Sequence, residues 1–65
     1  MCASNVFLID REGKESLIFE AVDKITPFAE GVLLEDIFFT TKTVKARIKE
    51  MALVDHRIVL EEIGE

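Results

Sequence analysis

Short apolar runs separated by polar turns recur along this chain. Residues 5–9 are rich in branched and aromatic side chains, and the polar segment 10–14 that follows them carries a glycine near its end, which is the signal of a β-hairpin. Apolar runs resume at 16–19, at 32–36 and at 57–60. Because turn signals recur about every ten residues, the pattern predicts an all-β domain, either a small sandwich or a barrel.

The middle of the chain contains two further signals. Pro27 has no backbone N–H to donate to a sheet, so we expect it at a sheet edge or at a strand end. The segment 29–31 has the composition of a turn, and the strand predicted over 32–36 follows it. We expect residues 37–40 to continue that strand after a bend.

The segment 43–54 fits two kinds of element. Its apolar and basic positions alternate: Val44, Lys45, Ala46, Arg47, Ile48 and Lys49. This period of two predicts a strand with one apolar and one basic face, whereas the apolar residues at 44, 48 and 51 also fit a helix. We favour the strand because the neighbouring segments are predicted to be β. Glu50 breaks the alternation and is expected to mark a bulge or a bend.

Length and cysteine content limit how such a domain can be stabilised. The chain has 65 residues and a mass of 7.4 kDa, which suits one domain spanning residues 1–65. A domain of this size is marginally stable alone and usually needs disulfides, a metal or a second subunit. Since the chain has one cysteine, an internal disulfide is excluded, and a metal or self-association remains.

Charge and composition exclude several functions. The net charge of -5 counts against binding of the whole protein to nucleic acid or to an anionic membrane. No apolar run approaches the ~20 residues that span a bilayer, and no basic segment precedes the first apolar run, so we expect a cytoplasmic protein with neither a membrane span nor a signal peptide. With one histidine and no tyrosine or tryptophan, the chain has few side chains for acid–base chemistry, and we expect no enzyme.

All five aromatic residues are phenylalanines. Phe7, Phe19 and Phe28 are expected in the core. Phe38 and Phe39 are adjacent, so one of them should point outward if both lie in a strand. An outward phenylalanine can stack on a nucleic-acid base, but in so small a chain the better interpretation is that it fills a dimer interface.

Cys2 is the residue most informative about function. Removal of Met1 would leave the thiol and a free α-amine on adjacent carbons, and these two groups together close a five-membered chelate ring around one metal ion. The backbone amide of Ala3 could supply a third donor. Nitrogen and sulfur donors in a square plane favour Ni(II) or Cu(II), and two chain ends related by a two-fold axis would complete a four-coordinate site. The position alone also fits an unremarkable exposed thiol.

Other polar residues offer weaker candidates. His56 follows Asp55 between two apolar runs, which predicts a tight hairpin, and we expect this lone imidazole to be a turn residue rather than a metal ligand. Lys45, Arg47 and Lys49 would project from one strand face and could contact phosphates, which supports an alternative function as a small RNA-binding module. The more ordinary interpretation of these three residues is a solvated strand whose charges prevent edge-to-edge aggregation.

Several segments taken together resemble one known family. The opening Met1–Val6 has the pattern Met-Cys-x-x-x-Val, and segments 19–25, 31–38, 44–50 and 55–61 continue in a way that is similar to the CooT family of small nickel-binding proteins, once labelled predicted RNA-binding proteins. The likeness covers nearly the whole chain.

The resemblance implies a fold and a function. The fold is a small antiparallel SH3-like β-barrel that forms a homodimer, in which the segment 43–54 is a strand. The nickel ligand is the cysteine after the initiator methionine, which is Cys2 here. The function is that of a metallochaperone that delivers Ni(II) to a nickel enzyme, and for the archetype of the family this enzyme is carbon monoxide dehydrogenase.

Overall fold

The computed structural model describes residues 3–64 as seven β-strands without a helix, and Met1, Cys2 and Glu65 lie outside the described residues. The strands are β1 (Ser4–Ile9), β2 (Glu15–Val22), β3 (Lys24–Phe28), β4 (Gly31–Glu35), β5 (Thr41–Val44), β6 (Ala46–Ala52) and β7 (Arg57–Glu62). The predicted all-β class is therefore confirmed. In the part of the chain from 3 to 64, no helix is long and apolar enough to cross a membrane.

The strands form two sheets. Sheet A has the order β2-β1-β7-β6, and sheet B has the order β3-β4-β5. All pairs are antiparallel except β1 with β7, which run parallel with Asn5 opposite Arg57 and Ile9 opposite Glu61. The expected antiparallel arrangement is wrong for this one pair. Hairpins force antiparallel pairing only on strands that they connect directly, and β1 and β7 are far apart along the chain.

The chain passes between the sheets at two corners. β2 gives way to β3 at Asp23, whose N–H donates to the carbonyl of Glu35 (2.7 Å). β5 gives way to β6 at Lys45, whose carbonyl accepts the N–H of Ile63 (3.2 Å). Among residues 3–64 the strands therefore form two sheets joined at corners, and the hydrogen-bonding order does not close them into the expected barrel.

The core lies between the two sheets. Its fully buried side chains are Val6, Val32, Leu34 and Leu60. Val6 and Leu60 come from the two central strands of sheet A, and Leu34 comes from the central strand of sheet B. Burial of these side chains at the centre of each sheet is the main term that stabilises the fold, because the free energy of burial follows the apolar area removed from water.

The prediction of a strand over 43–54 is confirmed. Val44 and Ala46 are buried and Ile48 packs against the core, so the apolar face of the alternation points inward. The register with β7 shifts between Ile48 and Glu50, which is the irregularity that Glu50 predicted.

Several local predictions are wrong. Residues 37–40 leave the strand and form a turn. Phe28 is 45% exposed at the end of β3 rather than in the core. The turn at Asp55–His56 spans four residues, 53–56, instead of two, and His56 itself adopts the positive φ (56°) that a glycine usually supplies. By contrast Pro27 lies in the edge strand β3, as expected.

Phe7 lies on the outer face of sheet A rather than in the core between the sheets. The guanidinium carbon of Arg57 lies 4.3 Å from the centroid of the Phe7 ring, and the same guanidinium is hydrogen-bonded to Glu15. Val59, opposite Phe7 in the parallel pair, is only 4% exposed. The outer face thus carries a small apolar cluster of its own, covered by a cation–π contact.

Gly31 provides a test of how closely β4 approaches β5. A Cβ at this position would lie 2.2 Å from the carbonyl oxygen of Val44, so the backbone must move to admit it. We expect Gly31→Ala to lower the free energy of unfolding by about 3 kcal/mol, measured by urea denaturation. Gly64→Ala is the matched control, since its Cβ would meet nothing within 4 Å, and equal stability of the two variants would contradict this close approach.

Candidate functional site

An open cleft of about 560 Å³ lies beside Ala3, where the described chain enters β1. Its lining combines apolar and acidic residues: Ala3, Ala21, Val22, Asp23, Asp36, Ile37 and Phe38. These residues come from the start of β1, the corner after β2 and the turn after β4. The cleft therefore exists because the two sheets meet at this end of the fold.

Asn5 ties the segments at this end to one another. Its N–H donates to the carbonyl of His56 (2.9 Å), and its side-chain Oδ1 accepts the N–H of Ala21 (3.1 Å). Ala21 has a positive φ of 54° and lies where the register of β1 with β2 shifts, so β2 is bulged here. As a result the end of β2 and the turn between β6 and β7 are both held next to the start of β1.

Asp36 organises the turn between β4 and β5. Its Oδ1 accepts the N–H groups of Phe38 (2.9 Å) and Thr40 (3.0 Å). Its carbonyl accepts the N–H of Phe39 (3.1 Å), and its own N–H donates to the carbonyl of Thr40 (3.0 Å). Four hydrogen bonds to one residue hold the turn in a single conformation, which is that of a three-residue hairpin loop.

The turn between β1 and β2 is built in the same way. There Oδ1 of Asp10 accepts the N–H groups of Glu12 and Lys14 (both 2.9 Å), and Gly13 donates its N–H to the Asp10 carbonyl (2.9 Å). Gly13 has φ 87°, and Phe39 occupies the corresponding position of the β4–β5 turn with φ 67°. A residue with a Cβ costs about 1 kcal/mol in this region, so the β4–β5 turn carries a steric penalty that the first turn avoids.

Three successive apolar side chains are exposed on the β4–β5 turn. Ile37, Phe38 and Phe39 are 63%, 78% and 80% exposed. The sequence predicted a strand here with one phenylalanine outward, and both are exposed because the turn capped by Asp36 replaces the strand. The aspartate-to-glycine spacing at 10–13 reveals the first turn, but Phe39 in place of glycine hides the same signal in the second.

The predicted metal ligands lie at the edge of the described chain. Cys2 falls outside the described residues, while Ala3 is exposed and borders the cleft. From residue 3 to residue 64, no three or more His, Asp or Glu side chains are grouped so that they could hold a metal ion. His56 lies in a turn, as expected, and its hydrogen bond to Asn5 brings that turn to the start of β1.

The predicted basic positions are divided between a corner and β6. Lys45 is the corner residue, and Lys49 lies at the bulge where the register shifts. Arg47 donates from Nε to Oε1 of Glu61 at 3.3 Å, with both side chains exposed to solvent. An exposed pair of this kind adds little stability, but it offsets the charge that an RNA phosphate would meet. The RNA-binding alternative stays a prediction.

Comparison with known proteins identifies close relatives of this architecture. A family model described as "CO dehydrogenase accessory protein CooT" matches residues 1–61. A crystal structure of a protein assigned as CooT from Carboxydothermus hydrogenoformans is similar over 97% of this chain and 100% of that chain, with a TM-score of 0.83 and 48% sequence identity. No curated protein matches the chain significantly.

Replacing Asp36 by alanine tests the construction of the β4–β5 turn. Two backbone N–H groups lose their acceptor, so we expect Asp36→Ala to speed hydrogen exchange at Phe38 and Thr40 roughly tenfold and to cost about 1 kcal/mol of stability. NMR hydrogen exchange measures both amides directly. Asp55→Ala, at an exposed turn position, should leave the two rates unchanged, and equal rates in Asp36→Ala and the wild type would refute the role of the carboxylate.

Proposed function

This chain belongs to the CooT family of CO dehydrogenase accessory proteins, and we propose that it serves maturation of that enzyme by binding Ni(II) through Cys2 and delivering it. The family supports a role in CO dehydrogenase maturation. Nickel as the cargo and Cys2 as the ligand are our proposal. On this proposal the protein carries a metal and catalyses no reaction.

The observation that supports the proposal is the position of Ala3. The residue that follows Cys2 is exposed, and it borders an open cleft that carries the carboxylates of Asp23 and Asp36. A site with negative charge nearby binds a divalent cation more favourably than an uncharged site does. A metal that must be handed on needs a site that incoming ligands can attack, and a surface position meets this need better than a buried cage.

The chemistry of the donor set also supports nickel. The Cys2 thiolate, the α-amine that removal of Met1 would free and the backbone amide of Ala3 are sulfur and nitrogen donors, which suit Ni(II) in a square plane. The thiolate must stay reduced for this purpose, and the cytoplasm provides that condition.

We further propose that two copies of the chain share one ion as a homodimer. A single chain end supplies two or three donors, so a four-coordinate site with two thiolates and two amines needs a second end. The size of the chain agrees with this arrangement, because a domain of 65 residues gains stability from a second subunit.

Substitution of Cys2 tests the ligand. We expect Cys2→Ser to abolish stoichiometric nickel binding because a serine hydroxyl is a poor substitute for a thiolate toward Ni(II). Titration with Ni(II), followed by thiolate-to-nickel charge-transfer absorption and by calorimetry, measures the loss, and circular dichroism should show an unchanged fold.

His56→Asn is the matched control for that experiment. It removes the one imidazole from the same end of the molecule, and asparagine tolerates the positive φ at this position. We expect this variant to bind nickel like the wild type. Equal nickel binding by Cys2→Ser and the wild type would refute the proposed ligand.

Stoichiometry tests the shared site. We expect native mass spectrometry to find one tightly bound nickel per two chains, and the intact mass of the denatured protein to show that Met1 is removed. One tight nickel on each separate chain would contradict sharing, and a retained Met1 would remove the α-amine from the donor set.

A further inference from the structure

We propose that the β4–β5 turn is the surface on which the recipient enzyme docks, and that it fits a partner surface with an apolar depression flanked by lysine or arginine. The identity of the recipient as CO dehydrogenase rests on the proposed function. The docking surface itself consists of Ile37, Phe38 and Phe39 together with the acidic cleft beside them.

The first argument is that Phe39 is kept at a steric cost. Gly13 occupies the corresponding position of the β1–β2 turn, where glycine adopts a positive φ without steric cost. Phe39 adopts a positive φ in the β4–β5 turn with its side chain 80% exposed. An exposed side chain contributes little to the core, so the penalty is not repaid by burial within this chain. Strained backbone of this kind is concentrated at functional positions, and aromatic residues are enriched at the centres of interfaces.

The second argument is that the exposed side chains are held in place before any partner arrives. The four hydrogen bonds of Asp36 fix the turn that displays Ile37 and Phe38 on the wall of the cleft. A surface already ordered in the free protein loses less conformational entropy on association. Apolar side chains that are ordered yet exposed are therefore suited to binding another protein.

The third argument is charge. Asp23 and Asp36 are the charged residues among those that line the cleft, and the whole chain carries a net charge of -5. Lys24, next to Asp23 in sequence, lies 3.9 Å from Glu35 in an ion pair across sheet B. The complement of this surface is an apolar region with cationic side chains at its rim.

A second copy of this chain fits the cleft less well. Two clefts face to face would gather the carboxylates of Asp23 and Asp36 from both copies. A shared nickel ion requires only that the chain ends meet, and once Met1 is removed Cys2 alone precedes Ala3 and its backbone can span up to about 3.5 Å on each side. The β4–β5 turns of a dimer can thus remain free for a different protein.

Two apolar variants test the docking surface against nickel-free CO dehydrogenase of the host organism, with affinity measured by biolayer interferometry on the nickel-loaded chain. We expect Phe39→Gly and Phe38→Ser each to weaken binding at least about tenfold, as is typical of interface anchors. Phe39→Gly should also raise Tm, because glycine relieves the positive φ, so lost binding cannot be attributed to unfolding. Phe28→Ser is the matched control, since Phe28 lies at the far end of β3 from the cleft, and it should bind normally.

A charge variant tests the rim of the partner surface. Asp23→Lys should weaken binding several-fold, and the wild-type affinity should fall as salt is raised. Glu30→Lys makes the same change of charge in the turn between β3 and β4 and should have little effect.

The outcomes separate this proposal from the one on which it rests. Nickel titration of Phe38→Ser and Phe39→Gly should give the wild-type stoichiometry, so that docking fails while metal binding persists. Wild-type affinity of Phe39→Gly for the enzyme, or absence of any binding by the wild-type chain, would overturn the docking surface even if Cys2 binds nickel. Conversion of a dimer into monomers by Phe39→Gly, with enzyme binding intact, would also overturn it and assign the turn to self-association.

Discussion

The packing of the two sheets around one shared hydrophobic core is the constraint on which the rest of this structure depends. Val6 and Leu60 of sheet A and Leu34 of sheet B are fully buried and belong to one hydrophobic cluster. With one cysteine in the chain, no internal disulfide can replace this packing. Because the sheets must close over these side chains, the chain bends sharply at Asp23 and at Lys45, and the first of these corners forms one wall of the cleft beside Ala3.

The alternation of apolar residues identified the elements that this core requires. The inward face of Val44, Ala46 and Ile48 could be predicted because a strand buried on one side must repeat every second residue. The bulge before Glu50 was predictable for the same reason, since a break in the alternation must be absorbed by an extra residue. Local signals of this kind depend on side chains a few positions apart.

Other features were not predictable because they depend on contacts between distant segments or on an unusual residue. The parallel pairing of β1 with β7 is decided by the path of the whole chain, and no local pattern records it. The turn at Asp36 was missed because a phenylalanine stands where glycine would signal a positive φ, whereas the turn at His56 was predicted and only its length of four residues was not. Part of the candidate site was predictable: Ala3 was named from its neighbour Cys2, but the cleft beside it arises from three separate segments.

The steric cost at Phe39 has a particular weight in a chain of 65 residues. A domain this small has little stability to spare, so about 1 kcal/mol of strain in a turn is a substantial fraction of its net free energy of unfolding. In the turn that follows Asp10, Gly13 adopts a positive φ without that cost. On the docking proposal, the difference between the two turns is explained by what the side chain of Phe39 contacts on the partner. The β4–β5 turn borders the same cleft as Ala3, through Ile37 and Phe38, and this has a consequence for transfer. An enzyme held at the β4–β5 turn would lie within a few residues' reach of a metal at Cys2, so that docking and ligand exchange could occur without rearrangement of either sheet.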